Sequence, residues 1–117
     1  EVGGPRGALR ERQVKFADIV GECGFGKTAA YNACCHGTEC LDTGEGWDDV
    51  LEAAHIAKAF CSEAYCHAAD ENIQVHGGMG FTWEHPAHLY FKRAKASELL
   101  FGDATHHREA LADRLGI

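Results

Sequence analysis

Apolar residues along this chain recur mostly at three- and four-residue steps, the spacing of one face of an α-helix. Phe16, Val20, Cys23, Ala30 and Cys34 follow that rhythm, with Lys27 as the one polar member. They predict a helix over residues 9–41. Gly21, Gly24 and Gly26 weaken it, each by up to about 1 kcal/mol against alanine in an exposed helix interior. The helix therefore either relies on packing to hold it straight or bends there. Before it, residues 1–8 hold Gly3, Gly4, Pro5 and Gly7 and read as a loop.

Residues 42–47 contain Gly44 and Gly46 and read as a connection. A second helix is predicted over residues 48–74. Asp48 and Asp49 suit its positive amino-terminal end, and Val50, Ala54, Ala57, Cys61, Ala64 and Ala68 form its expected buried stripe. The glycine-rich run His76, Gly77, Gly78, Met79, Gly80 stops it. Pro86 fits the first position of a third helix, with Tyr90, Ala94 and Phe101 on one face. Gly102 interrupts that pattern. Asp103 is a suitable cap for a last helix that passes Leu111 and Leu115 and stops at Gly116. No strand pattern stands out and no repeat is present. The expected fold is all-α: a single domain over residues 1–117, an antiparallel bundle of three long helices and a short terminal one.

Composition narrows the function. The chain has 117 residues, 45% of them apolar, enough for one packed core. Eighteen acids against eleven bases give a formal charge of −7. Such a surface repels phosphate backbones, which argues against a nucleic-acid partner. No apolar run approaches a membrane span, so no membrane partner is expected, and no apolar signal segment opens the chain. The six cysteines contain no C-x-x-C pair, and in a helical chain they read as reduced thiols in a cytoplasmic protein. The first residue is Glu1 and the only methionine is Met79, which reads as a piece of a longer protein.

Candidate chemistry is sparse. Residues 74–82 read Q-V-H-G-G-M-G-F-T. Three glycines in four positions let backbone amides face a phosphate or pyrophosphate, and the same glycines suit a plain turn between helices. No strand precedes them and no Gly-Lys-Ser/Thr follows, so neither dinucleotide fingerprint nor P-loop is present. His85 with His88, and Cys34, Cys35 and His36 with Cys40, lack familiar zinc spacing, so no metal site is assigned. Ser62 and Ser97 lie in helices without a nucleophile elbow.

The residues carry a further signal. Gln74, Gly77, Gly78, Gly80, Phe81, Glu84 and Pro86 stand in the register of the carboxy-terminal region of acyl-CoA dehydrogenases, and the whole stretch 73–117 closely resembles it. Ala57-Lys58-Ala59-Phe60 and, further upstream, Gly3, Pro5, Gly7, Phe16, Ala17 and Asp18 extend the resemblance to nearly the whole chain. It implies the last three helices of a carboxy-terminal four-helix bundle, without the amino-terminal domain, the β-domain or the first bundle helix. It also implies flavin adenine dinucleotide (FAD) as cofactor, an acyl-CoA substrate for the parent enzyme, and assembly with identical or related acyl-CoA dehydrogenase subunits. In that family the Gln-x-x-Gly-Gly turn meets the adenosine-diphosphate part of a neighbouring subunit's flavin. The resemblance thus assigns Gln74, Val75, His76, Gly77 and Gly78 to the cofactor, with Asp103, Ala104 and Thr105 also approaching it.

Four positions depart from the family pattern. Phe101 stands where many members carry the glutamate that takes the substrate α-proton, so no catalytic residue is assigned and the chain alone is expected to be inactive. Asp103 replaces a usual threonine, Val2 the phenylalanine of a Phe-Gly motif, and Arg10 a common glutamine. A non-catalytic assembly subunit or a decayed copy is the alternative reading.

Overall fold

A computed structural model describes residues 3–76 and 85–117, and among them every regular element is an α-helix. Helix α1 spans Gly3–Thr43, α2 Trp47–His76, α3 Pro86–Leu99 and α4 Ala104–Leu115. The all-α class is the one the periodicity predicts. The expected cofactor residues Gly77 and Gly78, together with Met79, Gly80, Phe81, Thr82 and Glu84, lie outside the described residues.

Helix α1 differs from expectation at its start. It begins at Gly3 rather than after a loop, so Pro5 falls in its first turn. There the amide hydrogens have no intrahelical acceptor, so the ring removes no hydrogen bond. The 41 residues of α1 rise about 62 Å, the full 62 Å length of the molecule. The helix runs unbroken through Gly21, Gly24 and Gly26. Gly26 shows how packing holds it: a Cβ there would meet Cys61 Sγ at 3.4 Å and the Phe60 ring at 3.7 Å. Cys61 Sγ–H donates to the Gly26 carbonyl at 3.3 Å. The missing side chain brings α1 against α2.

The connection of residues 44–46 works through its glycines, both in the left-handed region, Gly44 at φ 75° and Gly46 at φ 89°. It sends α2 back along α1. Helix α2 is the central element, touching α1, α3 and α4. Its deepest residues are Ala53, Ala59, Ser62, Cys66, Ala69 and Ile73, and of the expected stripe only Ala64 is fully buried. Cys61, Ala64 and Ala68 of the expected stripe lie towards α1 beside Gly26 and Ala30; of the buried residues, Cys66 and Ala69 form the core with Ala94 of α3, with Tyr65 and Phe91 over them, and Ala59 lies beside Leu111 of α4.

On α3 the expected face is only partly right. Ala94 is buried, but Tyr90 stays exposed and Phe91 takes the packing role. Phe101 falls outside α3 altogether. His85 caps the helix, its Nδ1 accepting from the Ala87 amide at 3.1 Å, with Pro86 at the first helical position. Asp103 caps α4 and Gly116 closes it at φ 76°, both as the residue types require.

Candidate cofactor-contacting site

Of the first group of candidate residues, Gln74, Val75 and His76 belong to the last turn of α2. Ile73, only 2% exposed, anchors that turn in the core. Gln74, Val75 and His76 follow it outward and are all exposed. The His76 ring lies 4.4 Å from that of His85, the residue that caps α3.

The second group is the corner between α3 and α4. Phe101 and Gly102 both have positive φ, 62° and 98°. Phe101 is the one non-glycine described residue in that region, and its side chain is 83% exposed. A left-handed conformation costs an ordinary residue about 1–2 kcal/mol. Asp103 Oδ1 accepts the His106 amide at 2.8 Å, so its carboxylate already occupies the positive end of α4. Ala104 is buried at 4%, and Thr105 is exposed on the first turn.

Three side chains that sequence reasoning gave no role hold this corner. Lys58 Nζ donates to Ser62 Oγ at 2.7 Å and to the Ser97 and Glu98 carbonyls at 3.0 and 3.2 Å. It places an ammonium on the negative end of α3. His107 Nε2–H donates to the Phe101 carbonyl at 2.9 Å, which leaves its Nδ1 to accept from His55 Nδ1–H at 2.8 Å. Burial first, then the charges of His107, Arg114 and His106, hold the His55 imidazole below its ordinary value. Lys58 stood in the sequence as a lone cation among alanines, a signal of burial against helix-end carbonyls. The His55–His107 pair spans two elements and left no local trace.

The described residues of the two groups, Gln74 to His76 and Asp103 to Thr105, lie apart in the fold. Lys58 marks the level of the corner on α2, and Gln74 lies sixteen residues further along the same helix, about 24 Å of rise. One copy therefore presents two separate surfaces.

Elsewhere the chemistry is structural. Burial, with the Glu98 carboxylate beside it, pushes the Cys66 thiol up to about 11, which leaves it a protonated donor to Glu98 Oε2 at 3.2 Å. All six cysteines are free thiols. Among the described residues, no group of three His, Cys, Asp or Glu side chains converges for a metal, and no helix is long and apolar enough to cross a membrane.

Comparison with known proteins decides what this helical assembly is. Residues 10–116 match the family described as acyl-CoA dehydrogenase, C-terminal domain. The chain belongs to that family. It is 32% identical to the acyl-CoA dehydrogenase IpdE2 of Mycolicibacterium smegmatis over 102 residues, 87% of this chain and 29% of that protein. A probable short/branched chain specific acyl-CoA dehydrogenase of Dictyostelium discoideum is 27% identical over 98% of this chain and 26% of its own length. The mitochondrial very long-chain specific acyl-CoA dehydrogenase of Mus musculus is 52% identical over 40 residues, 34% of this chain and 6% of that protein. The chain thus spans less than a third of the length of the relatives it matches. No solved structure matches it significantly. The all-α architecture is that of an acyl-CoA dehydrogenase carboxy-terminal domain.

Proposed function

We propose that this chain acts as the carboxy-terminal helical segment of a flavin-dependent acyl-CoA dehydrogenase, an enzyme that α,β-dehydrogenates an acyl-CoA thioester. Its own part is to present the turn at residues 74–78 to the adenosine-diphosphate half of FAD held by a neighbouring subunit, and to supply part of the subunit interface. The observation that carries this reading is the family match across residues 10–116. Bound FAD would supply the hydride acceptor of the reaction.

The described residues fit that cofactor unevenly. Gln74 and His76 offer exposed amide and imidazole groups on a turn anchored by Ile73, as contact with an adenosine diphosphate requires. Asp103 does not fit an anionic group: its carboxylate already caps α4 and repels a phosphate brought to the same amides. Ala104 has no exposed group to offer, and Thr105 contributes one hydroxyl. The corner at residues 103–105 is therefore assigned to uncharged parts of the cofactor, and the pyrophosphate to the turn after α2.

Phe101 supports a second reading, a non-catalytic assembly subunit or decayed copy. A phenyl ring takes no proton, so the α-proton of a thioester has no acceptor at this position.

Displacement of a fluorescent FAD analogue separates the readings. In the first, ADP displaces it and riboflavin 5′-phosphate does not, with affinity of about millimolar because one of several binding surfaces acts alone. Displacement by riboflavin 5′-phosphate alone, or no binding at all, overturns it in favour of the second.

A further inference from the structure

Helix α4 is joined to α2 near its start by imidazoles. His55 of α2 and His107 of α4 meet through their Nδ1 atoms, 2.8 Å apart. The Nε2–H of His107 goes to the Phe101 carbonyl at 2.9 Å, so a single proton, carried by His55, serves both Nδ1 atoms. The carbonyl at the end of this chain of bonds belongs to a residue at φ 62° whose ring is 83% exposed. Ring packing does little to hold Phe101 in that conformation; the hydrogen bond from His107 and the cap formed by Asp103 hold it.

We propose that this histidine pair is a proton-operated latch on the corner between α3 and α4: one proton between the two Nδ1 atoms closes the corner on α2, and a proton on each Nδ1 opens it. The count of protons dictates the behaviour. A first added proton can enter at His55 Nε2 and leave both hydrogen bonds intact. A second has only His107 Nδ1 to enter, and there it turns the acceptor into a donor. Two N–H groups do not face each other at 2.8 Å, and two imidazolium charges at that distance repel. The rings part, and the bond to the Phe101 carbonyl goes with His107.

The charged groups around the pair oppose its second positive charge. On α4, His106 stands beside His107 with ring centres 5.2 Å apart, and Arg108 and Arg114 add two permanent charges. Nearby carboxylates are engaged: Glu63 and Asp48 of α2 hold Arg108 and Arg114, Asp103 accepts the His106 amide, and Glu98 of α3 accepts from the Cys66 thiol. On α2 itself, Glu52 stands one turn before His55, and Lys58 one turn after it with its ammonium on the end of α3. Arg108 keeps the Glu63 carboxyl below its ordinary value, so that ion pair outlasts the latch as pH falls. Burial, then the charges of His107, Arg114 and His106, hold the His55 imidazole below its own. The open corner thus binds more protons than the closed one. The latch is shut above about pH 6.5 and is released as pH falls through the lower values of the closed pair, which belong to the two rings together. The device lies between α2 and α4, uses no contact with flavin and stands independently of the cofactor reading.

Nitrogen-15 NMR of the histidine rings in the 117-residue chain, with amide exchange, tests the latch without any substitution. At pH 8, His55 is expected as the Nδ1–H tautomer and His107 as the Nε2–H tautomer. Between pH 7 and 5 the two rings titrate in coupled steps, and Phe101 loses the strong amide-to-Hα Overhauser effect of a positive φ over the same range. Exchange at residues 101–107, corrected for intrinsic rates, speeds up by more than tenfold per pH unit, the mark of more than one proton. His55→Gln leaves one ring of the pair to titrate and limits that dependence to about tenfold per unit. His55 found as the Nε2–H tautomer, rings that titrate independently, or a Phe101 that keeps positive φ at pH 5 overturns the proposal. So does a wild-type dependence of tenfold or less, or one equally steep in His55→Gln.

Discussion

At the scale of the residue, Phe101 concentrates what is unusual here. Its left-handed backbone is strained for any side chain with a Cβ, and its ring, 83% exposed, gains little from packing. Glycine relieves the strain at small cost in buried surface. Phe101→Gly is expected to raise stability by about 1 kcal/mol, read as an upward shift in the midpoint of chemical denaturation. An unchanged or lowered midpoint would mean that the ring packs in solution. The position was legible in sequence only as a departure from the family pattern; its backbone was not, because phenylalanine gives no sign of positive φ. Asp103 and Gly116 were legible, since an acid before a helix and a glycine after one each have a local cause.

At the scale of the element, two histidines tie α2 to its neighbours with opposite responses to pH. His67 Nδ1–H donates to Glu22 Oε2 on α1 at 2.9 Å, with Glu71 3.7 Å from its Nε2. The Glu22 hydrogen bond holds the His67 imidazole above its ordinary value. Its contribution is full below about pH 6.5 and is lost as pH rises through the higher folded value. His55 is held below its ordinary value, so protonation opposes the folded state. Its contribution is full above about pH 6.5 and is lost as pH falls through the lower folded value. Acidification from pH 7.5 to 5 is therefore expected to tighten the α1–α2 contact and loosen α4. Amide exchange protection factors, corrected for intrinsic rates, should rise near Glu22 and fall along residues 104–115. Parallel changes in both regions would contradict this. The core between α2 and α3 gives a third expectation. Ala94 is 1% exposed beside Cys66 and Phe91, so Ala94→Leu overpacks it and costs about 1–3 kcal/mol, measured by denaturant unfolding.

Periodicity found these helices but misassigned their faces. Helix α2 has neighbours on opposite sides, so small apolar residues surround much of it and no single stripe dominates. Ala53, Ala59, Ser62, Cys66, Ala69 and Ile73 were missed because the run from Val50 to Ala68 was an equally regular stripe. On α1 the larger residues, Phe16 and Val20, drew the stripe away from the small ones that make the contact. Contact there depends on close approach at Gly26, which hydrophobicity does not register.

At the scale of the whole molecule, the chain carries the all-α fold of an acyl-CoA dehydrogenase carboxy-terminal domain and spans less than a third of the length of its relatives. On the proposal that Phe101 stands where the family carries its base, the chain is expected to give no dye reduction above the protein-free rate with acyl-CoA thioesters of short, medium or long chain. Turnover that co-purifies with the chain would overturn that expectation. The motif at residues 74–80 was legible as three closely spaced glycines after a helix, which suit a phosphate-facing turn or a plain connection. Its separation from the corner at residues 101–105 was not legible, since that distance is set by the length of α2 between Lys58 and Gln74. The most direct test of the account is an amide NMR titration of the chain with FAD and with ADP. The account predicts shifts clustered on residues 74–80, small or absent shifts at residues 103–105 with ADP, and loss of the cluster on Gly78→Val. Scattered shifts, or none at ligand concentrations of several millimolar, would contradict it and leave the turn a connection between helices.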